Sequence, residues 1–420
     1  MSIKFRLTIM SFLQFFVWGS WLITIGNYWF STKGWDGGKF GVIFSTMGIA
    51  SLFMPALMGM VADRWVNAEK LYGFLHILSG VSLCLIPQIN DPSQFFWGIL
   101  LAMIFYMPTI ALANSIAYTG LKNNRFDVVI DFPPIRVFGT IGFIAAMWTT
   151  NLSGNKASAN QFYIAAIASF ILGLYSFTLP ACPPLGKQTS KKSWSQVLGF
   201  DALHLFKDKK MALFFIFSMF LGAALQLTNA YGDVFLGEFS KVPEYANSFV
   251  VKRSTIIMSI SQFSETAFIL AIPFFLRRFG IKNVMLISML AWVFRFGLFA
   301  YGDPSPVGVS LIILSCIVYG MAFDFFNVSG SLFVETSTTP DIRSSAQGIF
   351  MMMTNGVGAV AGSTISGFII QEYYTAADGK TKDWHGIWMA FAIYALIVAI
   401  LFAVFFKHKH EVSEVVAVRH

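Results

Sequence analysis

The stretch ACPPLGKQTSKKSWSQVLGFDALHLFKDKK, residues 181–210, is the one long polar segment in a chain otherwise built of apolar runs. Six apolar runs precede it, near 6–30, 40–62, 71–89, 94–118, 134–152 and 161–180. Six more follow it, near 211–236, 254–276, 283–301, 308–333, 345–369 and 385–406. Each is close to the roughly 20 residues that a helix needs to cross a bilayer. The pattern predicts twelve transmembrane helices in two groups of six.

The composition supports a membrane protein. Hydrophobic residues make up 56% of the 420 residues, and charged residues only 12%, whereas soluble domains carry roughly 25% charged residues. The runs are continuous and do not alternate as barrel strands do, so we expect helices surrounded by lipid. The net charge of +8 lies mostly in the loops, where it reflects membrane topology, and we expect no nucleic acid partner.

The distribution of Lys and Arg predicts the orientation. Nineteen of the 29 Lys and Arg fall on the side that holds both termini, and eight fall on the other side. Both termini are therefore expected in the cytoplasm. The first run follows Lys4 and Arg6 and is too long for a signal peptide, so it is expected to be the first membrane helix. The predicted organisation is an N-terminal six-helix bundle (1–180), a cytoplasmic linker (181–210), a C-terminal six-helix bundle (211–407) and a cytoplasmic tail (408–420).

Several classes of function lack support in the sequence. Cys84, Cys182 and Cys316 are far apart and form no metal or disulfide pattern, so no metal and no cofactor are expected. The spans contain neither an H-E-x-x-H motif nor a convincing nucleophile–base pair, which argues against an intramembrane enzyme. Neither tail offers a signalling domain, which argues against a sensor.

A short motif follows the second run. Gly59, Asp63 and Arg64 form G-x-x-x-D-R, which resembles the loop motif of the major facilitator superfamily. The charged pair Asp63–Arg64 is expected to act in gating at the cytoplasmic end. The matching loop of the second half, from Pro273 to Lys282, keeps the basic residues and loses the acid. A generic helix end remains the alternative interpretation.

Placing an ionisable residue inside a membrane span costs free energy, so such residues are candidates for function. His76 is expected to be a satisfied packing residue, and Arg295 is expected to pair or stack structurally. Arg136, Glu265 and Asp324 differ, because polar or aromatic residues share their helix faces.

These faces follow from helical spacing, since residues three, four or seven positions apart lie on one side of a helix. We call each such set of polar and aromatic residues a stripe. The four stripes are Arg136, Thr140 and Phe143 in span five; Gln226 and Asn229 in span seven; Gln262 and Glu265 in span eight; and Tyr319, Phe323 and Asp324 in span ten. The alternative is that such residues only join helices by hydrogen bonds.

The four stripes together indicate a watery cavity for a neutral, flat, hydroxylated solute. Amides suit the edge of a nucleobase, aromatic rings offer stacking faces, and carboxylates accept hydrogen bonds from sugar hydroxyls. Glu265 and Asp324 are also candidates for proton coupling, because burial favours the protonated form of a carboxyl group. A permanently ionised or permanently protonated binding residue is the alternative for each.

Longer motifs point to one family. The stretches Phe12–Gln14, Trp18–Trp21, Asp131–Arg136, Gly139–Phe143, Phe323–Asn327 and Ser345–Gly348 resemble the nucleoside:proton symporter family of the major facilitator superfamily, nearly end to end. The resemblance implies a twelve-helix major facilitator fold and proton-coupled nucleoside import across the bacterial inner membrane by alternating access. It implies that the ten stripe residues surround the nucleoside, and that the protein is a monomer.

Three alternatives stay open at this point. The chain could be a nucleoside facilitator without proton coupling, or a permease for a sugar or another neutral polar solute; the third is the intramembrane enzyme or sensor already argued against. The range of bases accepted is also open, because span seven reads Gly222-Ala223-Ala224-Leu225-Gln226 and lacks an acidic residue that some relatives carry nearby.

Overall fold

The computed structural model describes residues 2–184, 200–339 and 342–408. Within these ranges the chain is almost entirely helical, with a single isolated β-bridge between Thr375 and Lys382. Lys187, Lys191 and Lys192 of the predicted linker lie outside the described residues, as does nearly all of the predicted tail. The chain divides into two compact units, Met1–Leu198 and Gly199–His420.

Within residues 2–184, the first unit contains six candidate membrane-spanning segments. They are α1 (Ile3–Gly19), α2 (Phe40–Arg64), α3 (Ala68–Leu85), α4 (Pro92–Asn123), α5 (Val128–Leu152) and α6 (Asn160–Tyr175). Beyond α1, a turn leads into the short helix Ile25–Asn27 and the π-helical Tyr28–Thr32. The predicted run 6–30 is therefore helical but interrupted at 20–24.

Within residues 200–339 and 342–408, the second unit also contains six such segments. They are α7 (Lys209–Glu238); α8 (254–279) and α9 (281–300) within the stretch Ser254–Ala300; α10 (Pro306–Ala322 and Asp324–Ser337); α11 (Arg343–Met351, the π-helical Met352–Gly358, and Ala359–Tyr373); and α12 (Trp384–Phe405). Gly280 separates α8 from α9 with φ 74° and ψ 169°, a conformation that essentially only glycine adopts.

Ten helical stretches of the described chain are long and apolar enough to cross a membrane. One of the ten is the joined stretch Ser254–Ala300, which holds two helices, and the interrupted α1 is not among them. Counting Ser254–Ala300 as two helices and adding α1 gives the twelve segments that the apolar runs predict.

Several helices begin where the sequence supplies a capping side chain. Asp91 accepts a hydrogen bond from the Gln94 amide at 2.9 Å before α4, and Asp208 accepts one from Met211 at 2.8 Å before α7. Such side chains satisfy amide groups that have no partner within the helix. The predicted start of span five at 134 is too late, since α5 begins at Val128 and continues through Pro133 and Pro134.

Close helix crossings organise each unit. A methyl group at Gly19 would meet the backbone of Phe143, and one at Gly142 would overlap the Phe12 carbonyl oxygen, so α1 and α5 touch through their backbones. In the second unit, Gly222 of α7 meets Thr354 of α11 in the same way. Small residues allow such close approach in membrane helices.

A buried carboxylate holds the chain that leaves α6. Glu69, at the start of α3, is 5% exposed, and its Oε2 accepts a hydrogen bond at 2.8 Å from the backbone amide of Cys182. Burial and then the charge of Glu69 raise the pKa of the Cys182 thiol to about 11. The thiol is therefore protonated at neutral pH, and only the thiolate is nucleophilic.

We expect Cys182 to react slowly with a maleimide at pH 7.5 in the folded protein, in a background where Cys84 and Cys316 are replaced by Ser. Glu69→Gln should accelerate labelling, because it removes both the negative charge and a charge-assisted hydrogen bond. Lys70→Gln, at an exposed neighbouring position, is the control and should label like the parent. Fast labelling of the parent protein would contradict this description of the thiol.

Candidate functional site

In the first unit, the crossing of α1 and α5 positions the predicted stripe on α5. Phe143 lies directly at this crossing, since its backbone faces Gly19. Its ring is half-buried and meets Trp18 edge-on, with ring centroids 6.5 Å apart. Thr140, one turn earlier, is also half-buried. The face predicted from helical spacing is therefore partly accessible and bordered by aromatic rings from α1.

Arg136 lies one further turn towards the start of α5. Its guanidinium stacks over the Phe15 ring at 4.1 Å, and this cation–π contact orients the planar guanidinium group. It also lines a small cleft whose polar residues include Ser11, Gln14 and Asn114. Arg136 is half-buried, so its donors are held in place by packing while the side chain stays within reach of a ligand.

Behind this face lies a buried polar network centred on Gln14. The Gln14 Oε1 accepts hydrogen bonds from Tyr72 at 2.7 Å and from His76 Nε2 at 2.9 Å, and its amide donates to Thr109 at 2.9 Å. The other ring nitrogen of His76 lies 3.1 Å from Ser169 Oγ. His76 is 0% exposed, and the prediction of a satisfied packing residue is confirmed.

In the second unit, α10 breaks at Phe323, and Asp324 begins its second segment. Phe323 itself keeps helical backbone angles, with φ −93° and ψ −55°, so the interruption is slight. Asp324 is only 6% exposed. The α10 helix therefore carries an acidic side chain deep in the helical unit.

A close contact between α8 and α10 positions two more residues of the predicted site. A methyl group at Gly320 would meet the backbone and hydroxyl of Ser264, and Ser264 donates a hydrogen bond to the Ile317 carbonyl. Glu265 follows Ser264 directly, and Tyr319 precedes Gly320. The contact fixes the positions of Glu265 and Tyr319 relative to each other.

The Tyr319 ring packs against aromatic and charged side chains of α9. It meets Trp292 edge-on at 5.8 Å, and the Arg295 guanidinium lies 5.1 Å from its centre. Tyr319 is 5% exposed. The contact between Ser264 and Gly320 thus brings the stretch that carries Glu265 next to the stretch that carries Tyr319 and Asp324.

The amide side chains on α7 and α8 offer unused polar atoms. Within the described residues, the Oε1 atoms of Gln226 and Gln262 are buried and have no hydrogen-bond partner. Buried polar atoms are usually paired in native proteins, so such atoms often mark where a ligand or water binds. Asn229, one turn from Gln226, is half-buried.

The structure thus places the ten predicted residues in two sets. Arg136, Thr140 and Phe143 lie on α5 of the first unit. Gln226, Asn229, Gln262, Glu265, Tyr319, Phe323 and Asp324 lie on α7, α8 and α10 of the second. The predicted gating pair ends α2, with Asp63 exposed and Arg64 half-buried.

Two further features refine the prediction. The expected stacking of Arg295 is confirmed, with Phe299 and Tyr319 as its partners. Asp233 was not predicted, although it lies inside the run 211–236. It is 1% exposed and accepts a hydrogen bond from Thr255 at 3.1 Å. A carboxylate inside an apolar run was the available signal, and its position near the end of the run concealed it.

Comparison with known proteins agrees with these features. The family model described as nucleoside H+ symporter matches residues 1–411. Nucleoside permease NupG of Escherichia coli strain K12 is 53% identical over 410 residues, covering 98% of this chain and 97% of that protein. The xanthosine permease of the same organism is 50% identical, covering 99% and 98%.

Solved structures show the same relationship. The crystal structure of nucleoside transporter NupG superposes with a TM-score of 0.90 and covers 97% of this chain and 100% of that one. A D-xylose–proton symporter, 13% identical, superposes with a TM-score of 0.69 and supports the fold alone. The fold is the twelve-helix major facilitator fold, and these relatives are transporters, not enzymes. This chain belongs to the nucleoside H+ symporter family.

Proposed function

We propose that this protein imports nucleosides together with protons across the bacterial inner membrane by alternating access, as a monomer with both termini in the cytoplasm. The observation that supports this most directly is the polar cluster of the second unit. The buried Asp324 and the half-buried Glu265 lie on α10 and α8, which touch at Ser264 and Gly320, and the buried amide oxygens of Gln226 and Gln262 have no hydrogen-bond partner within the described residues. Placing such a cluster inside a membrane protein costs free energy, and its presence therefore supports a ligand site.

The chemistry of the cluster fits a nucleoside. Glu265 and Asp324 would accept hydrogen bonds from the ribose hydroxyl groups, because carboxylates are strong acceptors. Gln226, Asn229 and Gln262 would pair with the polar edge of the base, since an amide offers both donors and acceptors. This set suits a neutral ligand, because two carboxylates would repel a phosphorylated one.

The aromatic residues and Arg136 complete the proposed site. Phe143, Tyr319 and Phe323 would pack on the faces of the base and sugar. Arg136 and Thr140 would donate hydrogen bonds, with Arg136 oriented by its stacking on Phe15. The partly exposed ring of Phe143 supports this assignment, because a fully buried ring would have no free face.

Proton coupling is assigned to Glu265 and Asp324. A carboxyl group in a low-dielectric interior is cheaper when protonated, whereas contact with water favours its ionised form. A site that meets water on alternate sides would therefore load and release a proton at these residues. The same scheme assigns Asp63 and Arg64 to the cytoplasmic gate, and 1–180 and 211–407 to the two bundles.

The substrate class is tested by uptake into cells that lack their own nucleoside permeases. Radiolabelled uridine, adenosine and xanthosine should enter in a manner dependent on this protein, and unlabelled nucleosides should compete where xylose and sucrose do not. The three labels together give the base range. Competition by a sugar with no uptake of any nucleoside would overturn the proposed substrate class.

A further inference from the structure

Gln14 of α1 is 0% exposed, and every polar atom of its side chain has a partner. Its Oε1 accepts hydrogen bonds from Tyr72 and His76 of α3 at 2.7 and 2.9 Å, and its amide nitrogen donates one of 2.9 Å to Thr109 of α4. Its backbone carbonyl accepts a further bond of 2.6 Å from the hydroxyl of Tyr106, also in α4. One residue therefore holds α1 against two other helices at once.

The orientation of the Gln14 amide follows from its partners. Thr109 donates its single hydroxyl proton to the Tyr106 carbonyl at 2.6 Å, so its oxygen can only accept. The Gln14 nitrogen must therefore face Thr109, and the Gln14 oxygen must face the donors of α3. Ser169 of α6 lies 3.1 Å from His76 and extends the network to a fourth helix. An apolar side chain of the same length could not satisfy these groups.

The residue that follows Gln14 lies against the α5 stripe. The half-buried Phe15 ring carries the Arg136 guanidinium at 4.1 Å. A methyl group at Gly139 would lie 2.7 Å from the Phe15 ring, 2.7 Å from Arg136 Nη1 and 3.1 Å from Ser11 Oγ. These three groups therefore converge on one point with no room for a further atom. Gln14 and Arg136 also line the same small cleft.

This packing matters for Arg136 because its side chain is long and flexible. Ordering such a side chain only when a ligand binds costs conformational entropy and lowers affinity. The Phe15 ring and the close packing at Gly139 hold the guanidinium before a ligand arrives. A shift of α1 against α5 would move the ring from under the guanidinium, and ligand binding would then have to order Arg136.

We propose that Gln14 is a positioning residue of the nucleoside site, which fixes α1 so that Phe15 holds Arg136 in its binding orientation. The proposal rests on the function proposed above. Gln14 itself does not contact the nucleoside, because its side chain is buried and its polar atoms are bonded to other helices. Its effect on nucleoside affinity therefore passes through Arg136.

Gln14→Met tests this, because methionine has a similar length and an unbranched shape but cannot replace the hydrogen bonds. We measure exchange of labelled for unlabelled uridine. KM should rise about tenfold, which corresponds to losing roughly one charge-assisted hydrogen bond from Arg136. The maximal rate per folded protein should stay within about twofold, as expected when binding alone is weakened.

A double-mutant cycle separates positioning from general destabilisation. In an Arg136→Gln background, which itself should raise KM, adding Gln14→Met should change KM by less than about twofold, because the group that Gln14 positions is already absent. Equal rises in both backgrounds would overturn the proposal. An unchanged KM in folded Gln14→Met, or in Arg136→Gln, would also overturn it. All three outcomes leave the proposed function intact.

Gln161→Met is the matched control, since it removes another amide that is 0% exposed in the same unit. Gln161 accepts a hydrogen bond from Thr24 at 2.9 Å and donates one to the Ser158 carbonyl at 3.0 Å. It lies near the start of α6, beyond the end of α5 that is far from Arg136. Both variants should lower the thermal midpoint in detergent, but only Gln14→Met should raise KM. The same rise in Gln161→Met would contradict a specific role for Gln14.

Thr109→Val replaces Gln14→Met in the cycle if the latter yields no folded protein. It keeps the shape of Thr109 and removes one hydrogen bond to Gln14. KM should rise in the wild-type background and stay within about twofold in the Arg136→Gln background, and equal effects in both would overturn the proposal. Failure of the wild-type protein to exchange uridine, adenosine or xanthosine would instead overturn the proposed function.

Discussion

Asp324→Asn is expected to abolish proton-driven accumulation of nucleoside. Asp324 is buried in α10, directly after the slight interruption at Phe323. Asparagine has nearly the same shape but cannot bind and release a proton. Asparagine replaces a charge-assisted bond to ribose of about 1.5–3 kcal/mol with a neutral one of about 0.5–1.5 kcal/mol, so affinity should also fall about 5- to 13-fold.

Two assays separate these effects. Uptake against a gradient reports coupling, and exchange of labelled for unlabelled nucleoside at equal concentrations reports binding and site movement alone. A variant that exchanges but does not accumulate would assign Asp324 to coupling. Loss of both would add a binding role, and full accumulation by Asp324→Asn would remove Asp324 from the site.

Glu335→Gln is the matched control, since it neutralises another carboxylate of the same helix. Glu335 is 47% exposed and pairs with Arg343 at 2.7 Å. Exposed ion pairs contribute only about 0–1 kcal/mol. Uptake by this variant should therefore stay within about twofold of the wild type, which would show that losing a negative charge from α10 is not enough to stop transport.

Gly222→Ala is expected to prevent normal packing of the second unit. A single methyl group at this position would overlap the carbonyl oxygen of Thr354. Backbone atoms of α11 cannot move aside as a side chain could, so the two helices must separate. Overpacking of this kind costs about 1–3 kcal/mol, and it would also displace Gln226, one turn away. The yield of folded protein, its thermal midpoint in detergent and its uptake should all fall.

Gly297→Ala supplies the control for that substitution. Gly297 lies in α9 of the same unit, and an added methyl group there has no atom within 4 Å. Alanine is favoured over glycine in a helix by about 0.8–1.0 kcal/mol, so the variant should be at least as stable as the wild type. Similar losses from both substitutions would mean that the crossing at Gly222 is not what makes alanine harmful.

Much of the fold follows from the sequence because lipid imposes one strong rule. Each crossing segment must be apolar and must satisfy its own backbone hydrogen bonds, so twelve apolar runs correspond to twelve helical segments. Interruptions were harder to foresee. The turn at 20–24 and the break at Phe323 lie inside continuous apolar runs, and only tertiary packing determines them. Gly280 was visible as a loop residue, although α8 and α9 run on with no separate loop between them.

The candidate site likewise combines features that the sequence predicts with features that it does not. Helical spacing predicted that Arg136, Thr140 and Phe143 share a face, because that relation is local. The network around Gln14 was not predictable, since its partners His76 and Ser169 come from helices distant in sequence. The link between Glu69 and Cys182 spans 113 residues and has no local signal at all.

The central claim, that proton movement drives nucleoside uptake, is tested most directly with purified protein in sealed proteoliposomes. An inward proton gradient is imposed, and radiolabelled uridine inside the vesicles is followed over time, with and without a protonophore. We predict accumulation above the external concentration that collapses to equilibrium when the protonophore is added. Uptake that reaches only the external concentration, and is the same with and without the protonophore, would contradict symport.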